Sequence, residues 1–414
     1  MRKKIFLFLS IFILWVQQFS FVAAETNNVF KAAYIKNDDL WIKIEESEMR
    51  ITNGKYVRFP KWSYDGNWIA YISGVKEEFT PLFKGDLWIY NIKTKKHFRI
   101  SSNINNNFQW APNQNSLGFQ SDNELKMINV KFINQQHKIS SGVIEYSWLP
   151  DGSGFLTSTK AGESVYSDIV LSKFILKHNN QYEQQHFYTI RVAENDHYYG
   201  TSQFKWSYDR NWIAFQLVPT ASLSADSNTI CVLSNDGASF HKINEMLHYE
   251  EWFAWAKSEN LLAYIKGINR VSTVNKKLEI IKTYNDSKFS YTPKGYVDRD
   301  LTWKTNNQIY VSRSVESDLI EVTKRPLPSI YHINLQTKKQ KKITYPIANE
   351  GDFYVLSIND GEKILWIRTN RKQAKVLIAG TNGKDQKIWI KNIDLGTLYY
   401  EHWNWNEVFS LYQS

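Results

Sequence analysis

The chain is short of the residues that would staple, break or unfold it. Cys231 is the only cysteine among 414 residues, so no intrachain disulfide can form and stability must come from a large buried core. Proline (9) and glycine (18) are sparse, which excludes collagen-like and low-complexity architectures and leaves no flexible linker to divide the chain. Long apolar runs are almost absent. The exception, from Ile5 to Val16, is shorter than the roughly 20 residues that a membrane-spanning helix needs. It follows a basic start, Arg2-Lys3-Lys4, and precedes Val22-Ala23-Ala24, whose small residues suit a signal peptidase. Residues 1–24 therefore read as a signal peptide cleaved before Glu25. Residues 25–414 are expected to form the mature domain, secreted or held in the cell envelope, with no membrane span.

Catalytic signatures are missing too. There is no Gly-x-Ser-x-Gly nucleophile elbow, no phosphate-cradling glycine loop and no His-Glu-x-x-His helix. Gly152-Ser153-Gly154 falls inside a turn. The Asp-Gly pairs Asp65-Gly66, Asp151-Gly152 and Asp360-Gly361 lack the alternating carboxylates of a calcium loop and read as tight reversals. No cofactor and no metal is expected. Lysine and arginine (51) outnumber aspartate and glutamate (41), a formal charge of +10. The basic residues are scattered and recur at strand ends, as in Lys93-Thr94-Lys95-Lys96 and Lys338 to Lys342. That pattern protects sheet edges and argues against a nucleic-acid partner; outside the cell a basic surface meets anionic envelope polymers instead.

What the chain does have is aromatic residues, 15% of the total, and they repeat. Phe59-Pro-Lys-Trp-Ser-Tyr-Asp-Gly-Asn-Trp-Ile-Ala-Tyr71 returns as Phe204-Lys-Trp-Ser-Tyr-Asp-Arg-Asn-Trp-Ile-Ala-Phe215. Weaker copies place anchors at Trp110, Trp148, Trp255 and Trp303, a degenerate one at Leu356 and a last one at Trp405, with steps of 38 to 58 residues. Each copy is a strand ending at the anchor, an Asp/Asn/Gly turn and a returning apolar strand, with further strands behind. Four antiparallel strands per repeat make a propeller blade. The residues left at the two ends amount to one more repeat, with the strands Ala32–Ile35, Asp39–Ile44 and Met49–Ile51 completed by His402–Trp405 as innermost strand. The expectation is an all-β chain forming a single β-propeller of eight four-stranded blades, closed by pairing of its N- and C-terminal strands. Seven blades is the runner-up, should the short unit after Trp110 or the degenerate one near Leu356 not form.

The segment Trp62-Ser-Tyr-Asp-Gly-Asn-Trp-Ile-Ala-Tyr71 resembles the WD40-like (PD40) repeat of the TolB family of propellers, whose pattern reads Trp-Ser-Pro-Asp-Gly, two variable residues, Ile-Ala-Phe. Trp206 to Phe215 matches with Arg210 in place of glycine, and Trp148-Leu-Pro-Asp-Gly keeps the turn. The resemblance implies a propeller. It does not fix a function, because such repeats serve envelope scaffolds, peptidases carrying an added hydrolase domain, and polysaccharide lyases. TolB resembles a six-bladed ring preceded by an α/β domain, and neither feature is visible in this sequence.

In a propeller the loops between second and third strands, and those between blades, lie on one face around the axial channel. Several are long or aromatic here, including Val75 to Lys84, Pro219 to Asn228 and Val315 to Ser329. Three inter-blade stretches supply the candidate binding face: His197, Tyr198 and Tyr199; His248, Tyr249, Glu250 and Trp252; and Tyr399, Tyr400, Glu401, His402 and Trp403. Aromatic rings beside carboxylates and imidazoles suit recognition of a peptide or sugar, and equally suit packing of blade on blade. His197, His248 and His402 stand at unequal offsets from their anchors, so they are not expected to converge on one ion. These features predict a monomeric, non-catalytic scaffold that binds a protein, peptide or anionic envelope polymer at its channel face. The alternative is a propeller lyase or glycosidase acting on an anionic polysaccharide.

Overall fold

The computed structural model describes residues 30–75, 84–104, 106–177, 181–282 and 289–413; residues 1–24, expected to be a signal peptide, the expected cleavage point before Glu25 and most of the loop from Val75 to Lys84 lie outside them. None of the described helices is long and apolar enough to cross a membrane. Eight antiparallel sheets of four strands form the ring of a β-propeller. The innermost strands, taken from blade 2 to blade 8, are Tyr56–Trp62, Phe108–Trp110, Glu145–Trp148, the interrupted Tyr198–Thr201 and Lys205–Trp206, Phe253–Trp255, Tyr296–Thr305 and Gly351–Ile358. Both units that sequence left open, after Trp110 and near Leu356, are complete blades.

The repeated motif dictates the reversal between first and second strands. The Asp65 carboxylate accepts from the Ser63 hydroxyl (2.8 Å), the Asn67 amide (2.9 Å) and the Asn67 side chain (2.7 Å), while Ser63 Oγ accepts from the Trp68 amide at 3.0 Å. Blade 5 repeats this turn through Ser207, Asp209, Asn211 and Trp212, at 2.7, 2.9, 2.7 and 3.0 Å. Gly66 has φ +62°, and Arg210 holds the same left-handed conformation at φ 63°. The network thus offsets the roughly 1–2 kcal/mol that a side chain costs there. Burial alone would raise the Asp209 pKa, but these bonds pull it down to about 2.

The anchor tryptophans join blade to blade. The indole N–H of Trp110 donates to Lys61 O (2.9 Å), Trp148 to Gln109 O (3.0 Å), Trp255 to Lys205 O (2.9 Å) and Trp303 to Ala254 O (3.0 Å). Each acceptor is the residue just before an anchor. By the same rule Trp62 donates to Ser410 O at 3.1 Å, which makes Leu411 the equivalent of the anchor in the closing blade.

This corrects the closing strand. Blade 1 comprises Lys31–Lys36, Asp39–Ile44 and Ser47–Arg50 with Phe409–Tyr412 innermost, in the order third, second, first, C-terminal. The ends therefore pair as expected, Ala33 opposite Ser410, but seven residues beyond His402. Sequence favoured Trp403-Asn-Trp405 because it carries the aromatic signal, whereas the ladder selects the segment whose register meets Lys31 to Tyr34. The Leu356 anchor shifts as well. Ser357 faces Ile364 as Trp62 faces Ile69, so a serine fills the tryptophan position of blade 8.

Candidate functional site

Because Leu398 to Trp403 is not a blade strand, it is free to do something else. Leu398–Tyr399 pairs with His402–Trp403 in a separate two-stranded hairpin between blades 8 and 1. Its two-residue turn is Tyr400-Glu401, with φ 45° and 68°, a conformation that normally selects Asn-Gly. Contacts with blades 6 and 7 hold this unfavourable tip. The Ser272 amide donates to Tyr400 O at 3.5 Å, Arg270 donates to Tyr400 Oη at 2.9 Å, and Arg325 donates to Glu401 Oε2 at 2.7 Å. His402 pairs with Glu251.

Beside the hairpin opens the axial channel, about 1190 Å³, lined by inner-strand and inter-blade residues including Lys61, Gln109, Glu145, Gln203, His248 and Glu250. Lys61 and Lys205 occupy equivalent positions just before their anchors. Lys61 Nζ donates to Phe108 O (2.8 Å) and Lys205 Nζ to Phe253 O (3.0 Å), each satisfying a carbonyl of the following inner strand. Enclosure by protein pushes the Lys61 pKa down to about 8, against the pull of Glu250 and Glu145. Enclosure and then the Glu250 charge push the Glu145 pKa up to about 8. The same cause lowers Lys205 and His248 and raises Glu250. The channel is therefore a polar, mixed-charge conduit in which enclosure disfavours the charged form of acids and bases alike.

A pH test isolates one of them. A carboxyl raised in the folded state contributes stability that is present below its unfolded pKa, 4.5, and is lost as pH rises through about 8. The melting temperature of the wild type should fall between pH 5 and pH 8.5 relative to that of Glu145→Gln. Parallel curves would mean that Glu145 ionises freely in the channel.

The candidate residues separate into three groups. Trp252 is 0% exposed and Trp403 is also buried, so these two are packing rather than accessible surface, while His402, buried as well, reaches the channel lining. The Tyr249 ring lies over His402 with centroids 3.8 Å apart, and its hydroxyl donates to Tyr399 O at 3.3 Å. Tyr249 is half-buried and, with His248 and Glu250, lines the channel. Tyr199, Tyr399 and Tyr400 are exposed on the loop-rich face. His197 and Tyr198 sit on the same face outside the channel lining, His197 against Tyr166 and the Tyr198 hydroxyl on Thr229. Glu401 is turned inward onto Arg325.

The three histidines do not converge. Among the described residues, the group able to hold a cation is Glu251, Asp300 and His402, with ligand atoms within 4.8 Å of one another. Asp300 also accepts from the Trp252 indole (3.3 Å) and the Tyr354 amide (2.8 Å). Sequence could not single out Asp300, because it reaches the cluster only through an inner-strand bulge where its φ is 49°.

A second feature of this face was equally hidden. Of the 20 exposed large apolar side chains among the described residues, 15 lie on this one face, in its loops, at strand ends or in the hairpin. They run from Val75, Val165, Tyr166 and Tyr199 through Leu223 and Ile268 to Val315, Leu319, Ile320 and Val322, then Tyr345, Ile347 and Leu398 to Tyr400. Tyr64, Phe132 and Tyr208 are on the opposite face, and Phe289 and Ile388 on outer strands.

The architecture defines an eight-bladed β-propeller with a loop-rich, apolar-studded face around a charged channel. No family model and no curated protein matches the sequence. Solved structures do resemble it. Dipeptidyl peptidase 4 of Porphyromonas gingivalis superposes at TM-score 0.58 with 8% identity, over 87% of this chain and 57% of that one. A puromycin-hydrolyzing peptidase of Mycobacterium tuberculosis gives 0.52 and 11%, over 82% and 54%. TolB of Acinetobacter baumannii gives 0.39 and 16%, over 62% and 61%. The chain spans little more than half the length of the two peptidases, and likeness at these identities establishes the propeller fold alone.

Proposed function

We propose that this propeller is an extracytoplasmic binding scaffold that docks a protein partner on its loop-rich face, with the channel mouth at the centre of the contact. The observation that carries this reading is the placement on that face of 15 of the 20 exposed large apolar side chains among the described residues. A monomer seldom exposes such a concentration unless it is an interaction surface. Acidic and basic side chains between the studs, including Glu194, Asp196, Asp318 and Lys324, supply the polar surround of a protein contact.

The test is capture from a cell-envelope extract by the mature chain, followed by substitution of the studs. Ile320 is 96% exposed, so Ile320→Asp should leave the melting temperature unchanged. Tyr399→Ala removes a second anchor. Each should weaken capture about tenfold or more, the scale of a lost interface anchor. Undiminished capture by both variants would place the contact elsewhere.

A second reading has an observation of its own. Lys61 and Glu145 both line the channel, where enclosure brings each pKa to about 8, a range suited to proton transfer on an anionic polysaccharide. Incubation with uronate oligosaccharides would then yield chain cleavage that Lys61→Met abolishes.

A further inference from the structure

The face opposite the long loops carries the tight turns between first and second strands and between third and fourth. On blade 7 these are residues 306–307 and 335–339, and on blade 8 residues 359–362 and 381–386. In or beside them Lys338, Lys339, Lys341, Lys363, Lys384 and Lys387 are exposed, and Lys304 is half-buried. The exposed acids of the same turns are Asp360, Glu362 and Asp385, so seven positive charges stand against three negative. The adjoining turn of blade 6 adds Lys257 and Glu259, which cancel. Among the described residues none of the seven lysines forms an ion pair; those that do, such as Lys266 and Lys375, lie elsewhere.

The turns make one surface. Gly361 approaches blade 7 so closely that a Cβ there would stand 3.1 Å from Lys304 O, and a Cβ on Gly383 would overlap the Ile343 carbonyl. The Tyr310 hydroxyl donates to Thr381 O at 3.1 Å across the same seam. Half-buried His332 faces Lys341 in the strand pair and registers the local field: burial first, then the charges of Lys304 and Lys341, holds its pKa below the ordinary value. Protection of sheet edges does not account for the cluster, because Lys304 and Lys363 belong to first and second strands and guard no edge.

We propose that the turns of blades 7 and 8 form a docking surface for a flexible linear polyanion. Gathered like charges repel one another, and an anionic chain laid across them relieves the repulsion. None of these lysines lines the axial channel, and each is a mobile point charge, so many weak contacts in parallel suit a polymer better than a single small ion. The four turns carry no exposed large apolar side chain, so nothing in them would stack on a nucleic-acid base or enter a bilayer. This surface lies opposite the loop-rich face and is independent of docking there.

The test titrates the full mature chain with long-chain polyphosphate. Lys341→Glu/Lys363→Glu/Lys384→Glu should weaken binding about tenfold or more, and added salt should weaken it further. Lys93→Glu/Lys95→Glu/Lys96→Glu makes the same charge change in an exposed turn of blade 2 and should bind within about twofold of wild type. Ile320→Asp should bind polyphosphate unchanged, which separates this surface from the protein contact. Acetylation footprinting of the wild type needs no variant: polyphosphate should shield Lys341, Lys363 and Lys384 and leave Lys93 reactive. Equal losses from the two triple variants, a footprint elsewhere, or tighter binding to phosphatidylglycerol vesicles or single-stranded DNA than to polyphosphate would overturn the proposal.

Discussion

A chain ending at Asn406 is expected to lose most of its stability, and to melt far below the intact protein or fail to fold. The removed residues include Phe409–Tyr412, the innermost strand of blade 1. Val408 and Phe409 are fully buried in the cluster that joins blades 1, 2 and 8. Burial on the scale of a phenylalanine is worth about 3–5 kcal/mol. Glu407 leaves with them, and its carboxylate accepts from Arg58 Nε at 3.0 Å with both side chains about 6% exposed. An orphaned buried arginine costs a further 3–5 kcal/mol or so. The Ile35 amide loses Val408 O (2.8 Å), the Trp62 indole loses Ser410 O (3.1 Å), and the Lys31–Lys36 strand becomes an open edge. These losses approach the whole stability of an ordinary domain, about 5–15 kcal/mol. Thermal melting with size-exclusion chromatography checks this; an unchanged midpoint would show that the ring does not depend on its mixed blade.

The second large effect belongs to a cross-strand pair used in two adjacent blades. Asp352 is 0% exposed and holds Arg368 in a fork, Nε to Oδ1 at 2.6 Å and Nη2 to Oδ2 at 2.9 Å, while the Trp366 indole donates to Oδ1 at 2.9 Å. In blade 7, Asp298 faces Arg313 at the corresponding place. Truncating Asp352 to alanine leaves the Trp366 indole N–H without its acceptor and the buried guanidinium with only Gln386 Oε1 at 3.4 Å and the distant Glu350 carboxylate at 4.0 Å, at a cost of about 3–5 kcal/mol. The double variant Asp352→Ala/Arg368→Leu removes both charges and should recover part of the loss. Denaturant unfolding of the four corners of this cycle measures the coupling. A double variant no more stable than Asp352→Ala alone would mean that the pair contributes through shape and not through charge.

The site was less legible than the ring. Trp252 and Trp403 read as surface anchors because an aromatic residue in an inter-blade loop looks the same in sequence whether it faces ligand or core. Burial is decided by what the next blade places opposite. The exposed studs went unnoticed for the converse reason. Leu223, Ile268 and Ile320 come from different loops, and no local pattern marks them as neighbours. Glu145 and Lys61, from repeats separated by a whole blade, likewise acquire displaced pKa values only because ring closure encloses them in one channel.

The architecture is written in the chain's repeats: the spaced anchors, the Asp-centred turns and the residues left at each end specify eight blades and an N-to-C closure. These are local rules, repeated, and a strand with its turn carries them within about a dozen residues. Tertiary structure decided which C-terminal segment completes blade 1, because hydrogen-bond register overrode the aromatic signal of Trp403 and Trp405. It also turned the displaced segment into a hairpin, drove Glu401 onto Arg325, and gathered scattered apolar residues onto one face. Those outcomes depend on contacts between residues far apart in the chain, such as Tyr249 with Tyr399 and Arg58 with Glu407, which come into being only when the ring closes.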